Sequence, residues 1–103
     1  MSLLRFNVTI QHRLTIGEAI RRAQEFVPEM RETVTANFTI GNCNWQGGKG
    51  IYQLSAIGES FTLFVTVTAT YVRISTSVLP ANILAMKPFY EPGILKAGKK
   101  KFA

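Results

Sequence analysis

The chain has 103 residues, of which 47% are hydrophobic, so it can form one domain with a small hydrophobic core. Its formal net charge is +6, and its single cysteine, Cys43, excludes an internal disulfide. The longest apolar runs are too short to span a bilayer, so no transmembrane segment is expected. The apolar start, residues 1–4, passes directly into a strand pattern and does not resemble a signal peptide, which predicts a cytoplasmic protein.

The first two elements are predicted by their periodicity. Residues 4–11 alternate between apolar and polar side chains, as in a half-buried strand. An amphipathic helix follows over residues 15–34, and Thr15 and Glu18 have the spacing of a capping box. The apolar stripe of this helix consists of Ile16, Ala19, Ile20, Ala23, Phe26, Val27, Met30 and Val34. Pro28 lies inside the pattern and cannot donate to the carbonyl of Gln24, which predicts a kink or a break there.

Four more strands are predicted in the middle of the chain. They cover residues 38–45, 51–57, 61–68 and 72–78. The connections between them are too short for crossovers, so these strands should form an antiparallel meander. The helix must bury its apolar stripe on this sheet. The sequence therefore predicts a single α+β domain over residues 1–103, with one main N-terminal helix packed on an antiparallel sheet of about five strands.

The C-terminal segment is expected to be irregular or short-helical. The residues that argue against a long helix are Pro88, Pro92, Gly93 and Gly98. Residues 87–103 carry five lysines against one glutamate, a local charge of +4, and part of this basic segment can be disordered. Residues 83–95 contain too many apolar side chains to remain in water, so they should pack on the sheet or on a second copy. Lys99 to Lys101 should stay in solvent, and deleting residues 97–103 should change stability by about 0.5 kcal/mol or less.

Catalytic residues are scarce in this sequence. His12 is the only histidine and could act as a general base with Cys43 as nucleophile. No residue in the sequence is placed to orient such a dyad, and there is no Asp. One His and one Cys are also too few for a zinc site. We therefore expect a nonenzymatic protein with no metal and no other cofactor.

Two aromatic patterns allow a nucleic-acid hypothesis. Trp45 precedes the glycine-rich loop of residues 46–50, but this loop lacks the P-loop pattern and a following helix. The third and fourth strands contain Tyr52, Phe61 and Phe64, and exposed aromatics are typical of an RNA-binding sheet. Basic residues do not alternate with these aromatics along the strands, and the RNP consensus is absent. Nucleic acid is therefore a disfavoured partner, and binding through the basic C-terminal tail is retained as an alternative.

The pattern of the whole chain resembles a small bacterial family, the polyhydroxyalkanoic acid system proteins, which are encoded in storage-polyester gene regions. The similar features are a short N-terminal strand, His12-Arg13-Leu14-Thr15 leading into Glu18-Ala19-Ile20-Arg21-Arg22-Ala23, a Trp45-x-Gly turn, a Val78-Leu79-Pro80 step and a Lys-bearing apolar C-terminal segment. Pro28 and the C-terminal prolines and glycines depart from the regular helices of the family. The resemblance implies a nonenzymatic role at granules and carries no catalytic residues to transfer.

Three functional hypotheses follow. The first is a binding or assembly protein, associated with polyester storage granules or a granule protein, that forms a homo-oligomer. An amphipathic segment suits the boundary between an apolar granule and water. The contact candidates are Ile83, Leu84, Met86, Phe89, Tyr90, Ile94 and Leu95.

The other two hypotheses use different residues. In a helix-grip domain, a helix across a curved sheet can enclose a small-molecule cavity. The candidate lining residues are Phe26, Met30, Trp45 and Phe64. The third hypothesis is contact with an anionic surface or nucleic acid through the tail. Its candidate residues are Lys96, Lys99, Lys100 and Lys101.

Overall fold

The computed structural model of the protein describes residues 5–33, 38–56 and 58–103. The elements are β1 (Asn7–Gln11), α1 (Ile16–Thr33), β2 (Thr39–Gln46), β3 (Lys49–Ala56), β4 (Glu59–Val67), β5 (Tyr71–Thr76), α2 (Ala81–Ala85) and α3 (Lys87–Lys101). The predicted α+β fold, with one main helix on a five-stranded antiparallel sheet and short C-terminal helices, is confirmed. Leu4, Val34 and Ile57, which the sequence patterns assigned to elements, lie outside the described residues.

The five strands form one sheet in the order β1-β5-β4-β3-β2, and every neighbouring pair is antiparallel. The predicted meander of the last four strands is therefore confirmed. β1 lies beside β5, with Val8 opposite Ile74. Thr76 continues the pairing beyond the start of β1, because its buried hydroxyl accepts a hydrogen bond from the amide of Phe6 at 2.9 Å. The first and last strands in the sequence are thus hydrogen-bonded neighbours in the sheet.

The sheet is covered on one face only. Alternate strand residues are buried on the inner face, under the helices: Val8, Ile10, Tyr52, Leu54, Leu63, Val65, Val67, Val72 and Ile74. The residues between them form the outer face, and most of them are exposed or half-buried. This alternation is the strand periodicity of an antiparallel sheet with one solvated side.

Helix α1 supplies most of the cover. Its buried residues are Ala19, Ala23, Phe26, Val27 and Met30. Ile16 was expected in this stripe, but it is 51% exposed, because it lies in the first turn, before the buried stripe begins. The hydroxyl of Thr15 accepts a hydrogen bond from the amide of Glu18, which is one half of the predicted capping box. The sequence predicts a kink or a break at Pro28, and the helix does not break there. Both Pro28 and Gln24 are exposed, so the unpaired carbonyl can bond to water and the helix continues to Thr33.

Helix α3 runs for 15 residues, which is longer than the prolines and glycines of this segment predict. Pro88 lies in the first turn, where a helix needs no amide donor. Gly98 is buried at a close approach, since a Cβ there would overlap the side chain of Ile10 and meet the ring of Phe26 at 3.5 Å. This glycine therefore lets α3 pack tightly on β1 and α1.

Candidate functional site

The structure separates the two residues that could have formed a catalytic dyad. His12 follows β1 and Cys43 lies on β2, at opposite edges of the five-stranded sheet. Four strand spacings, about 19 Å, separate these two edges. His12 is 8% exposed, and its Nδ1 accepts a hydrogen bond from the amide of Leu14 at 3.1 Å. Its Nε2 must then carry the proton and donates it to the carbonyl of Thr68 at 2.8 Å. His12 therefore joins the end of β1 to the β4–β5 turn.

The four predicted cavity residues do not line one site. Phe26 and Met30 are buried in α1 against the inner face of the sheet, whereas Phe64 lies on the outer face. Strand alternation explains this separation, because the neighbours of Phe64 on both sides, Leu63 and Val65, are buried. Trp45 packs on Gly50 at the far edge of the sheet.

Trp45 belongs to a small structural cluster at the β2–β3 hairpin. Its indole Nε1 donates a hydrogen bond to the hydroxyl of Tyr52 at 2.9 Å, and the two rings meet edge to face. Burial raises the pKa of Tyr52 to about 12. A Cβ on Gly50 would overlap the indole ring, so the glycine is required for this packing. Trp45, Tyr52 and Gly50 therefore serve the packing of the β2–β3 hairpin.

An open depression of about 520 Å³ lies between α1 and α3. Charged side chains from both helices line it, together with Phe26 and Met30. Lys101 also lines it and contacts the carboxylate of Glu25 at 3.0 Å and that of Glu29 at 2.5 Å. Because these charges face one another, the depression is an ion-paired seam between the two helices rather than an apolar pocket for a small molecule.

The same contacts correct the expected solvation of the tail. Lys101, one of the four candidate anion-contact residues, has a side chain only 21% exposed and is paired with α1. Arg22 donates a hydrogen bond to the carbonyl of Lys101 at 2.9 Å, and the next residue, Phe102, is 1% exposed. Lys96, Lys99 and Lys100 are exposed, as expected. The end of α3 is therefore anchored to α1, with three lysines on its outer side.

The seven candidate granule-contact residues divide into two groups. Those that pack on the core are Ile83, Leu84, Tyr90, Ile94 and Leu95. Met86 is 38% exposed and Phe89 is 80% exposed. Further exposed residues follow along α3 at intervals of three or four: Pro92, Gly93, Lys96, Lys99 and Lys100. Because such intervals place residues on one side of a helix, Met86, Phe89 and these five residues form one strip, which we call the α3 outer face.

The charges on α1 predict how stability depends on pH. Hydrogen bonds from Arg21 and Arg22 lower the pKa of Glu18 from 4.5 to about 2. A carboxylate whose pKa falls on folding stabilises the protein above its unfolded pKa, and this contribution disappears as the pH drops through the folded value. The melting temperature of the Glu18→Gln variant should therefore fall less between pH 5 and pH 2 than that of the unchanged protein.

Circular dichroism melts at several pH values measure this difference. Arg21→Gln is the matched control, since it removes one of the two partners of the same carboxylate and should flatten part of the pH dependence. If Glu18→Gln loses as much stability in this window as the unchanged protein, the ion pairs of Glu18 do not contribute to folding.

Comparisons with known proteins identified no relative of this chain. No protein-family model matches the chain, and neither curated proteins nor solved structures gave a match. In the described part of the chain, no helix is both long and apolar enough to cross a membrane, and no three His, Cys, Asp or Glu side chains are grouped to hold a metal ion. Any function must therefore be argued from the surfaces of this chain itself.

Proposed function

We propose that this protein is a nonenzymatic binding protein that docks through the α3 outer face on an apolar surface, and that this surface is a polyester storage granule. The observation that carries the proposal is the exposure of Phe89, which is 80% accessible at the start of a 15-residue helix. Met86, which is 38% exposed, lies on the same side of the helix, and an exposed apolar patch bordered by polar residues is typical of an interaction site.

The order of residues on the α3 outer face supports this type of partner. Its N-terminal half presents Met86 and Phe89, whereas its C-terminal half presents Lys96, Lys99 and Lys100. A hydroxyalkanoate polyester chain is largely apolar, with a carboxylate at one end and a hydroxyl group at the other. The apolar half could therefore enter the polymer surface while the lysines remain in water beside anionic groups, as in interfacial helices generally.

The rest of the molecule would hold this strip rigidly. Tyr90 packs its ring against Phe6 with centroids 6.0 Å apart, and its hydroxyl donates to the carbonyl of Ile83. Lys87 donates to the carbonyl of Arg5 at 3.1 Å. Docking would therefore need no refolding of α3, and little conformational entropy would be lost.

Sedimentation with poly(3-hydroxybutyrate) particles tests the proposal. The double variant Met86→Ser/Phe89→Ser should bind about tenfold or more weakly, because burying a large apolar side chain contributes about 1.5–3 kcal/mol. Val78→Ser is the matched control, since Val78 is an apolar residue 52% exposed outside the α3 outer face, and it should bind like the unchanged protein.

Two results would contradict the proposal. Either the double variant binds the particles as well as the unchanged protein does, or the Val78→Ser control loses affinity to the same extent. The first result would mean that the α3 outer face does not dock on the polymer. The second would mean that adsorption follows total exposed apolar area rather than one surface.

A further inference from the structure

The outer face of the sheet is a second surface, on the side of the molecule opposite α1 and α3. Register places its residues in rows across the strands. One row contains Asn7, Ser75, Phe64, Ile51 and Asn44. The adjacent row contains Thr9, Arg73, Thr66, Lys49 and Gln46. Polar side chains thus surround a small apolar centre, with basic residues in the next row.

The outer face carries flat groups at two places: around Phe64 at its centre, and at half-buried Tyr71, the first residue of β5. Phe64 on β4 is 38% exposed and lies opposite Ile51 on β3, which is 43% exposed. On β5, the guanidinium of Arg73 lies over the ring of Tyr71, with its carbon 5.3 Å from the ring centroid. Aromatic rings and guanidinium planes on an open sheet are the groups on which unpaired bases stack.

The charge on this face has one sign. Arg73 and Lys49 lie in the same row, two strands and therefore about 10 Å apart. None of the six acidic residues of the sequence belongs to this face. Glu59 is the first residue of β4 and, by strand alternation, lies on the same side as the buried Leu63 and Val65. The other five belong to α1 and α3: Glu18, Glu25, Glu29, Glu32 and Glu91. The outer face therefore has a positive potential that attracts an anionic partner.

We propose that the outer face of the sheet binds a single-stranded nucleic acid, with bases stacked on Phe64 and on the Arg73–Tyr71 pair and phosphates near Arg73 and Lys49. The sequence disfavoured this partner because basic residues do not alternate with the aromatics of the two strands that contain Tyr52, Phe61 and Phe64. Across neighbouring strands they do, and it is this lateral arrangement that a bound chain would contact. A second copy of the protein fits less well, because pairing two outer faces would bring like charges together.

Fluorescence anisotropy with the full chain tests this proposal, using a labelled mixed-sequence single strand of about 12 nucleotides as DNA and as RNA. Phe64→Leu keeps the apolar contact with Ile51 but removes the ring, and it should weaken binding about tenfold. Arg73→Gln/Lys49→Gln should weaken binding and make its logarithmic salt dependence shallower by about 1.4, the value expected for two lost phosphate contacts on a single strand.

The matched control is Lys99→Gln/Lys100→Gln, which removes the same charge from α3. Its dissociation constant should stay within about twofold of that of the unchanged protein, since salt screens the attraction from charges far from the bound strand. The proposal is overturned if this control loses the affinity and the outer-face variants do not, because the tail would then be the site. It is also overturned if the unchanged protein binds neither strand, or if sedimentation shows that Phe64→Leu dissociates a dimer formed through this face. None of these outcomes depends on particle binding by the α3 outer face.

Discussion

Replacing Phe26 by alanine should lower the free energy of unfolding by about 3–5 kcal/mol, the usual cost of deleting a fully buried phenylalanine ring. Phe26 is 3% exposed at the middle of the α1 stripe. Its ring meets that of Phe102 edge to face, with centroids 5.7 Å apart, and it also lies against Gly98. The cavity left by this substitution would therefore open at the junction of α1, α3 and the sheet.

Denaturant melts measure this loss, and Phe89→Ala provides the matched control. The chemical change is the same, but Phe89 is 80% exposed, so the free energy of unfolding should change by about 0.5 kcal/mol or less. A loss below about 1 kcal/mol for Phe26→Ala would show that the junction can collapse around the missing ring or that α1 is not held there.

Replacing Phe102 by alanine should have a similarly large effect, about 3–5 kcal/mol, although this residue lies next to the end of the sequence. Phe102 is 1% exposed and is the largest of the fully buried side chains in the described residues. Its amide donates to the carbonyl of Gly98 at 3.0 Å, which continues the last turn of α3. Deleting residues 97–103 should therefore cost at least as much, in contrast to the small effect that the sequence predicts.

A double-mutant cycle with Phe26→Ala isolates the contact between the two rings. We expect a coupling free energy of about 0.5–1.5 kcal/mol, since the rings form an edge-to-face pair. Lys99→Ala/Lys100→Ala changes the same turn at exposed positions and should leave stability within about 0.5 kcal/mol. If deletion of residues 97–103 melts like this control, the end of α3 is not part of the core.

These effects change how the basic tail is understood. From the sequence, residues 87–103 form one basic segment, because five lysines lie within 17 positions. In the structure, Lys101 is paired with Glu25 and Glu29, whereas Lys99 and Lys100 remain exposed. The tail therefore has a structural side, which closes the core, and an outer side, which is free to meet a partner.

The sequence by itself determined the elements whose pattern is local. The alternation of strands β1 to β5 and the apolar stripe of α1 each depend on neighbours two to four residues apart, so periodicity finds them. The capping signal of Thr15 and the short connections of the meander are local in the same sense. The sequence also predicts that Phe64 lies on the opposite face of the sheet from Phe26 and Met30, because Phe64 alternates along β4 with Leu63 and Val65, which are buried.

Only the tertiary structure decided the contacts between distant parts of the chain. Pro92 and Gly98 lower helix propensity by an amount that packing against β1 and α1 can outweigh, so α3 forms in spite of them. The burial of Phe102 depends on Phe26, 76 positions earlier, and no local pattern encodes such a pair. The rows of the outer face likewise depend on strand register, which places Arg73 and Lys49 on either side of Thr66. Both candidate surfaces therefore arise from neighbours in space, since a helix propensity or a strand period carries no information about which distant residue will lie beside it.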